Sequence, residues 1–178
     1  MNKEIFRLLK PQNIFLNKKR VGPLEDGGYV MPEFVLDNCS ALFTYGVGND
    51  SRYEVEFAQM YKKPVYLFDH LIFAPIEGYE DHQRNKQIEM LRYWSENGCT
   101  FISNGLGFEP NCKDFYENYK ELNINDHIFL KIDIEGGEYD YFLNTNINNF
   151  ENTVMGMSLE VHWINAPQYS EKLHEILK

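Results

Sequence analysis

Two glycines and a carboxylate are spaced for nucleoside chemistry. The run Leu42-Phe-Thr-Tyr-Gly46-Val-Gly48 is a short apolar strand entering a Gly-x-Gly turn. The run Val65-Tyr-Leu-Phe-Asp69 is a second strand, ending on a carboxylate 21 positions after Gly48. Glycines there let the backbone approach a ligand, and an acidic residue at that separation can accept hydrogen bonds from both ribose hydroxyls. A tight strand-to-helix turn explains the glycines alone, and a loop aspartate can simply cap its own turn. The pairing of the two favours a nucleoside cofactor lying across neighbouring strand ends.

A second group is acidic. Phe129-Leu-Lys-Ile-Asp133-Ile-Glu135-Gly-Gly-Glu138 places three carboxylates around two glycines, and Leu159-Glu160-Val-His162-Trp163 adds a carboxylate and an imidazole. Crowded carboxylates repel one another unless a cation or a hydrogen-bonding ligand relieves them. Glu138 reads as an early-helix residue favoured by the helix dipole. Asp133 reads as functional, and alternation along the strand puts His162 beside Glu160, where it is the candidate general base. A magnesium ion on Asp133, Glu135 and Glu160 is the second reading, with no metal in the first.

These residues need elements to hold them. Five apolar runs supply strands over 41–47, 64–68, 99–103, 127–133 and 154–161. Helical stretches alternate with them, over 81–97, 111–122, 138–143 and 168–178. Ser51-x-x-Glu54 predicts a capping box opening another helix, and Asn97-Gly98 is a stop signal. Alternating strands and helices predict an α/β fold with a doubly wound, mostly parallel sheet in the order 3-2-1-4-5. Ligands then bind beyond the carboxyl ends of strands one and four. Residues 1–40 read as an N-terminal helix and turn extension, and 41–178 as the cofactor-binding domain. In the extension, Arg20 can grip a ligand carboxylate or staple the Asp26-Gly-Gly turn.

Composition narrows the partners. The chain has 178 residues and a formal charge of −10, which argues against nucleic acid, whose affinity comes from Lys and Arg on phosphates. Cys39, Cys99 and Cys112 lack metal-ligand spacing and read as reduced thiols. The first ten residues form a short, interrupted amphipathic helix, and no run is long enough to cross a bilayer. The expectation is a cytoplasmic protein with a small-molecule substrate and no membrane partner.

With these residues in hand, the chain resembles the FkbM family of S-adenosylmethionine-dependent methyltransferases. The likeness runs from about Arg20 to Trp163. It is most specific at Lys131-Ile-Asp-Ile-Glu-Gly-Gly-Glu138 and Ser158-Leu-Glu-Val-His162, supported by Asp26-Gly-Gly-Tyr29 and Tyr45-Gly-Val-Gly-Asn-Asp50. It implies a Rossmann-like class I fold and S-adenosyl-L-methionine as cofactor. The loop from Tyr45 through Gly46, Gly48 and Asn49 to Asp50 would hold the methionine end, Asp69 the ribose, and Ser103 and Asn104 the adenine. Asp133 would face the sulfonium and the acceptor, with Asp133 or His162 as base. Family members commonly methylate hydroxyl oxygens of sugars and related metabolites.

The resemblance also implies a further helix and two strands after strand five. The chain is short there, so strand five is expected to be an open edge through which a second copy can pair. The competing readings are an NAD-dependent oxidoreductase and a non-catalytic remnant that binds cofactor or a partner. The Gly46-x-Gly48-x-x-Ser51 run half-fits a dinucleotide fingerprint, with serine where that pattern wants glycine or alanine.

Overall fold

Alternation along Leu42–Tyr45 decides which side chains face which layer. Leu42 and Phe43 point to opposite faces of the sheet, and each joins a separate buried cluster. The computed structural model describes residues 3–13, 15–74 and 80–178. In chain order its elements are α1 (Lys3–Leu8), β1 (Lys18–Val21), β2 (Tyr29–Pro32), α2 (Glu33–Asn38), β3 (Leu42–Tyr45), α3 (Arg52–Tyr61), β4 (Val65–Phe68) and α4 (Glu80–Glu96). Then come β5 (Cys99–Ile102), β6 (Gly105–Leu106), β7 (Cys112–Lys113), α5 (Phe115–Glu121), β8 (Ile128–Ile132), α6 (Gly137–Asn144), α7 (Asn148–Thr153), β9 (Val154–Leu159) and α8 (Pro167–Ile176).

The central sheet has five strands in the order β5-β4-β3-β8-β9, with every pairing parallel. This is the predicted 3-2-1-4-5 winding. One face packs Leu42, Leu67 and Phe129 against Phe57 of α3 and Trp94 of α4. The other packs Phe43, Leu130 and Ile132 against Phe115, Tyr141 and Phe150 from α5, α6 and α7. Such burial on both faces explains why the strands read as near-continuous apolar runs. A small third cluster ties α1 to α8 through Ile5, Tyr139 and Leu173. Of the predicted N-terminal helix, Met1 and Asn2 lie outside the described residues.

Register sets up the site. Tyr45 pairs with Phe68 and with Ile132, and Ile132 pairs with Leu159. The residues one step further, Asp69, Gly46, Asp133 and Glu160, therefore form a row across four strand ends. Backbone bonds continue the ladder into that row: Gly46 N donates to Phe68 O at 3.0 Å, Asp133 N to Tyr45 O at 3.0 Å, and Glu160 N to Ile132 O at 2.9 Å.

The capping box predicted at Ser51 does not form. Ser51 precedes α3, but its hydroxyl accepts the Trp94 indole N–H at 2.8 Å. Glu54 is fully buried, accepting from the Thr44 hydroxyl at 2.9 Å. Tertiary partners outbid the local ones. A capping box does open α5, where Asp114 accepts from Tyr116 N and Glu117 accepts from Asp114 N. That cap starts the helix later than the predicted 111. Beyond the helix and turns expected of residues 1–40, this segment pairs β1 and β2 antiparallel, with α2 following.

Candidate active site

The row of strand ends opens into a cavity of about 610 Å³, bounded by Asp26, Gly48, Asp69, Leu106, Lys131 and Asp133 among others. Its position beyond the carboxyl ends of β3 and β8 is the switch point expected of a doubly wound sheet.

Gly46 and Gly48 serve different needs. Both have positive φ, +79° and +56°. A Cβ on Gly46 would stand 1.6 Å from the Asp133 carbonyl oxygen, so this glycine lets β3 and β8 close together at their ends. A Cβ on Gly48 would meet nothing within 4 Å. Gly48 borders open space in the cavity.

Asp69 is held by backbone. Its Oδ1 accepts from Leu71 N at 2.8 Å and Ile72 N at 2.9 Å, and its Oδ2 from Gly48 N at 3.2 Å. It caps its own turn and also ties β4 to the glycine loop. Asn49 and Asp50 border the cavity. The Lys86 ammonium donates to Asn49 Oδ1 at 3.3 Å. Arg52 forks onto Asp50 at 2.6–3.1 Å, and these hydrogen bonds hold the Asp50 carboxyl below the usual aspartate range.

Three predicted cofactor residues turn elsewhere. Tyr45 is fully buried, stacks on Phe68 with ring centroids 4.5 Å apart, and accepts from Asn118 Nδ2 at 3.0 Å. Asn104 is buried too, exchanging two side-chain bonds with Asn118 at 3.0 and 3.2 Å. Its amide is spent on the core. Ser103 is exposed and does not border the cavity. That end is closed instead by His70, Ile72, Gly105 and Leu106, with the His70 ring occupying the space a Cβ on Gly105 would fill. Arg20 donates to the carbonyls of Pro23 and Glu25 at 2.8 and 2.9 Å, stapling its turn.

The opposite end of the cavity is charged. Lys131, 4% exposed, sits with Nζ 3.5 Å from Glu54 Oε1 and 3.6 Å from Asp133 Oδ2. The same ammonium lies 5.4 Å from the centre of the Tyr29 ring. Tyr29 donates to Glu160 Oε2 at 3.3 Å, and burial, then Asp133 and Glu160, push its phenol far above the usual range. His162 is brought to Asp133 as the sequence suggested, with Nε2 3.5 Å from Asp133 Oδ1. Glu138, 2% exposed, holds this corner by accepting from Gly136 N at 2.7 Å and His162 N at 2.8 Å. Sequence reasoning passed over Asp26, Glu54, His70 and Lys131 as site residues. A lysine in the apolar run of β8 was the available signal, since buried lysines are rare without a partner.

A parallel sheet wound in this order, with a glycine turn and a carboxylate sharing one cavity at its switch point, defines a Rossmann-like domain. Residues 23–178 match the methyltransferase FkbM domain, so the chain belongs to that family of methyltransferases. No curated protein matches it. Among solved structures, a Methanococcus jannaschii fibrillarin, described as a pre-rRNA processing protein, is similar at 13% identity. That likeness covers 94% of this chain and 74% of that one, with a TM-score of 0.42. Among the described residues, no helix is long and apolar enough to cross a membrane.

Proposed function

We propose that this chain transfers the methyl group of S-adenosyl-L-methionine to a hydroxyl oxygen of a sugar or similar small metabolite. The observation that carries this reading is one cavity running from Asp69 and Gly48, at the ends of β4 and β3, to Asp133 at the end of β8. The cofactor's ribose lies at Asp69, its amino-acid end against the open backbone at Gly48, and its adenine between Ile72 and Leu106.

In the reaction the acceptor oxygen forms a bond to the methyl carbon as the carbon–sulfur bond breaks, and sulfur keeps that electron pair as a neutral thioether. The hydroxyl proton leaves toward the cluster around Asp133 and His162. Alignment of oxygen, carbon and sulfur contributes roughly 7–11 kcal/mol of barrier lowering. Proton removal adds ~10²–10⁴-fold. Carboxylates at the acceptor end suit both the cationic sulfonium and an acceptor that must become more nucleophilic.

Calorimetry with S-adenosylhomocysteine and, separately, NAD tests the cofactor. Binding of the former alone is expected, and binding of NAD alone would end the reading. Transfer of labelled methyl groups to a panel of sugars and amines tests the acceptor, with label expected on hydroxyl oxygen.

A further inference from the structure

The end of the cavity away from Asp69 carries two carboxylates and an imidazole close together. One oxygen each from Asp133 and Glu135 and one ring nitrogen of His162 lie within 4.8 Å of one another. His162 is nearly enclosed, its side chain 13% exposed.

The orientation of that ring follows from its buried neighbour. Nδ1 faces Glu138 Oε1 at 3.3 Å, the same oxygen that takes the His162 backbone N–H. An ionised carboxylate only accepts, so the ring hydrogen belongs on Nδ1 and the lone pair of the neutral ring on Nε2. Nε2 then confronts three carboxylate oxygens, Asp133 Oδ1 at 3.5 Å, Glu135 Oε2 at 3.6 Å and Glu160 Oε1 at 3.8 Å. None of these is a hydrogen bond. Three carboxylate oxygens thus converge on one imidazole nitrogen without bonding to it. Neighbouring ligands of an octahedral cation at ~2.0–2.2 Å stand about 2.8–3.1 Å apart, so a bound ion would draw these atoms in by roughly half an ångström.

Charge points the same way. Lys131 addresses the other oxygen of Asp133, Oδ2, leaving Oδ1 for the cluster. Among the described residues, neither Glu135 nor Glu160 pairs with a lysine or arginine. Glu138 behind the imidazole is the carboxylate that commonly orients a metal-binding histidine.

We propose that Asp133 Oδ1, Glu135 Oε2 and His162 Nε2 hold a divalent cation of the Mg²⁺ or Mn²⁺ class, with Glu138 as the positioning residue behind His162. An oxygen-rich set with one imidazole suits these ions. Asp133 and Glu135 also border the cavity, so the remaining coordination positions face the acceptor. The role of the cation rests on the methyltransferase reading above: it would bind the acceptor hydroxyl and make its proton more acidic, with Glu160 nearest to receive it.

Electron paramagnetic resonance of the full chain titrated with Mn²⁺ tests the site, and Mg²⁺ should compete. One bound Mn²⁺ per chain is expected, weakened ~10–100-fold in His162→Ala, in Asp133→Asn and in Glu138→Gln. Glu160→Gln should hold the ion within a few-fold. Circular dichroism establishes that each variant is folded, and His162→Ala decides the outcome should Glu138→Gln not fold. No specific Mn²⁺ binding at 1 mM (an approximate ceiling, ~10⁻³ M, the weak end of biological divalent sites), or unchanged binding in His162→Ala, overturns the proposal. Calorimetry with S-adenosylhomocysteine on the same sample separates the two readings. Cofactor binding without Mn²⁺ overturns the cation site alone, and Mn²⁺ binding without cofactor overturns the methyltransferase reading alone.

Discussion

The two ends of the cavity are built on opposite principles. At the β3–β4 end one carboxylate, Asp69, has its oxygens satisfied by three backbone N–H groups at 2.8–3.2 Å. At the β8–β9 end, Asp133, Glu135 and Glu160 crowd one imidazole nitrogen at 3.5–3.8 Å, with Lys131 entering from the core side. The first end is preorganised by main chain. The second is an arrangement of charges whose balance depends on what arrives. On the proposed reading, binding and chemistry are separated along one row of strand ends.

The sharpest way to break the comparison is at Lys131. Among the described residues, Lys131→Met leaves the fully buried Glu54 beside no cation, with its Oε2 already lacking a hydrogen-bond partner. Removing one member of a buried pair costs about 3–5 kcal/mol, or roughly 6–20 °C in melting temperature for a chain of this size. Adding Glu54→Gln in the same chain should recover part of that loss. An unchanged melting temperature would show that the charged end does not need its lysine.

The two glycines supply the next test. Gly46→Ala drives a methyl group into the Asp133 carbonyl and adds left-handed strain, so a loss of about 3 kcal/mol is expected. Gly48→Ala meets no atom and should cost only the strain, about 1 kcal/mol, while lowering affinity for S-adenosylhomocysteine. Thermal melts and calorimetry on both variants give the contrast. Equal destabilisation would mean both glycines serve the fold.

Asp69→Ala probes the preorganised end directly. It removes the acceptor for three N–H groups and for the ribose, and hydrogen bonds to a charged group contribute about 1.5–3 kcal/mol each. Affinity for S-adenosylhomocysteine should fall ~10–100-fold. Mn²⁺ binding at the far end should be untouched.

The sheet was legible because parallel strands buried on both faces are largely apolar, and 65–68 is apolar while 42–45 and 128–132 are interrupted by Thr44 and Lys131 respectively. Asp69 and Asp133 were legible because each follows such a run. Tyr45 and Asn104 were misplaced for a shared reason: sequence shows that a polar group lies near a strand end, not which layer it faces. Tyr45 belongs to the α5 side through Asn118, which lies 73 residues away. Ser51 and Glu54 carry the same lesson, since a local capping pattern lost to Trp94, Thr44 and Lys131. The roles of Gly46 and Gly48 separate only when Asp133 is in place.

The smallest effect expected lies at the exposed lip of the preorganised end. Arg52 holds the Asp50 carboxyl below its ordinary range, chiefly through hydrogen bonds, at a site where both side chains remain solvated. A depressed carboxyl contributes stability at pH values above its unfolded pKa, near ~3.9 for aspartate, and that contribution disappears as pH falls through the lower folded value. Solvent and salt screen the pair, so the effect is slight. Arg52→Ala should therefore leave the melting temperature at pH 7 almost unchanged, and the small difference from the parent should vanish as pH falls through the lowered folded value. A difference that instead grows with acidity would place the origin of the Arg52 effect in helix α3 and not in Asp50.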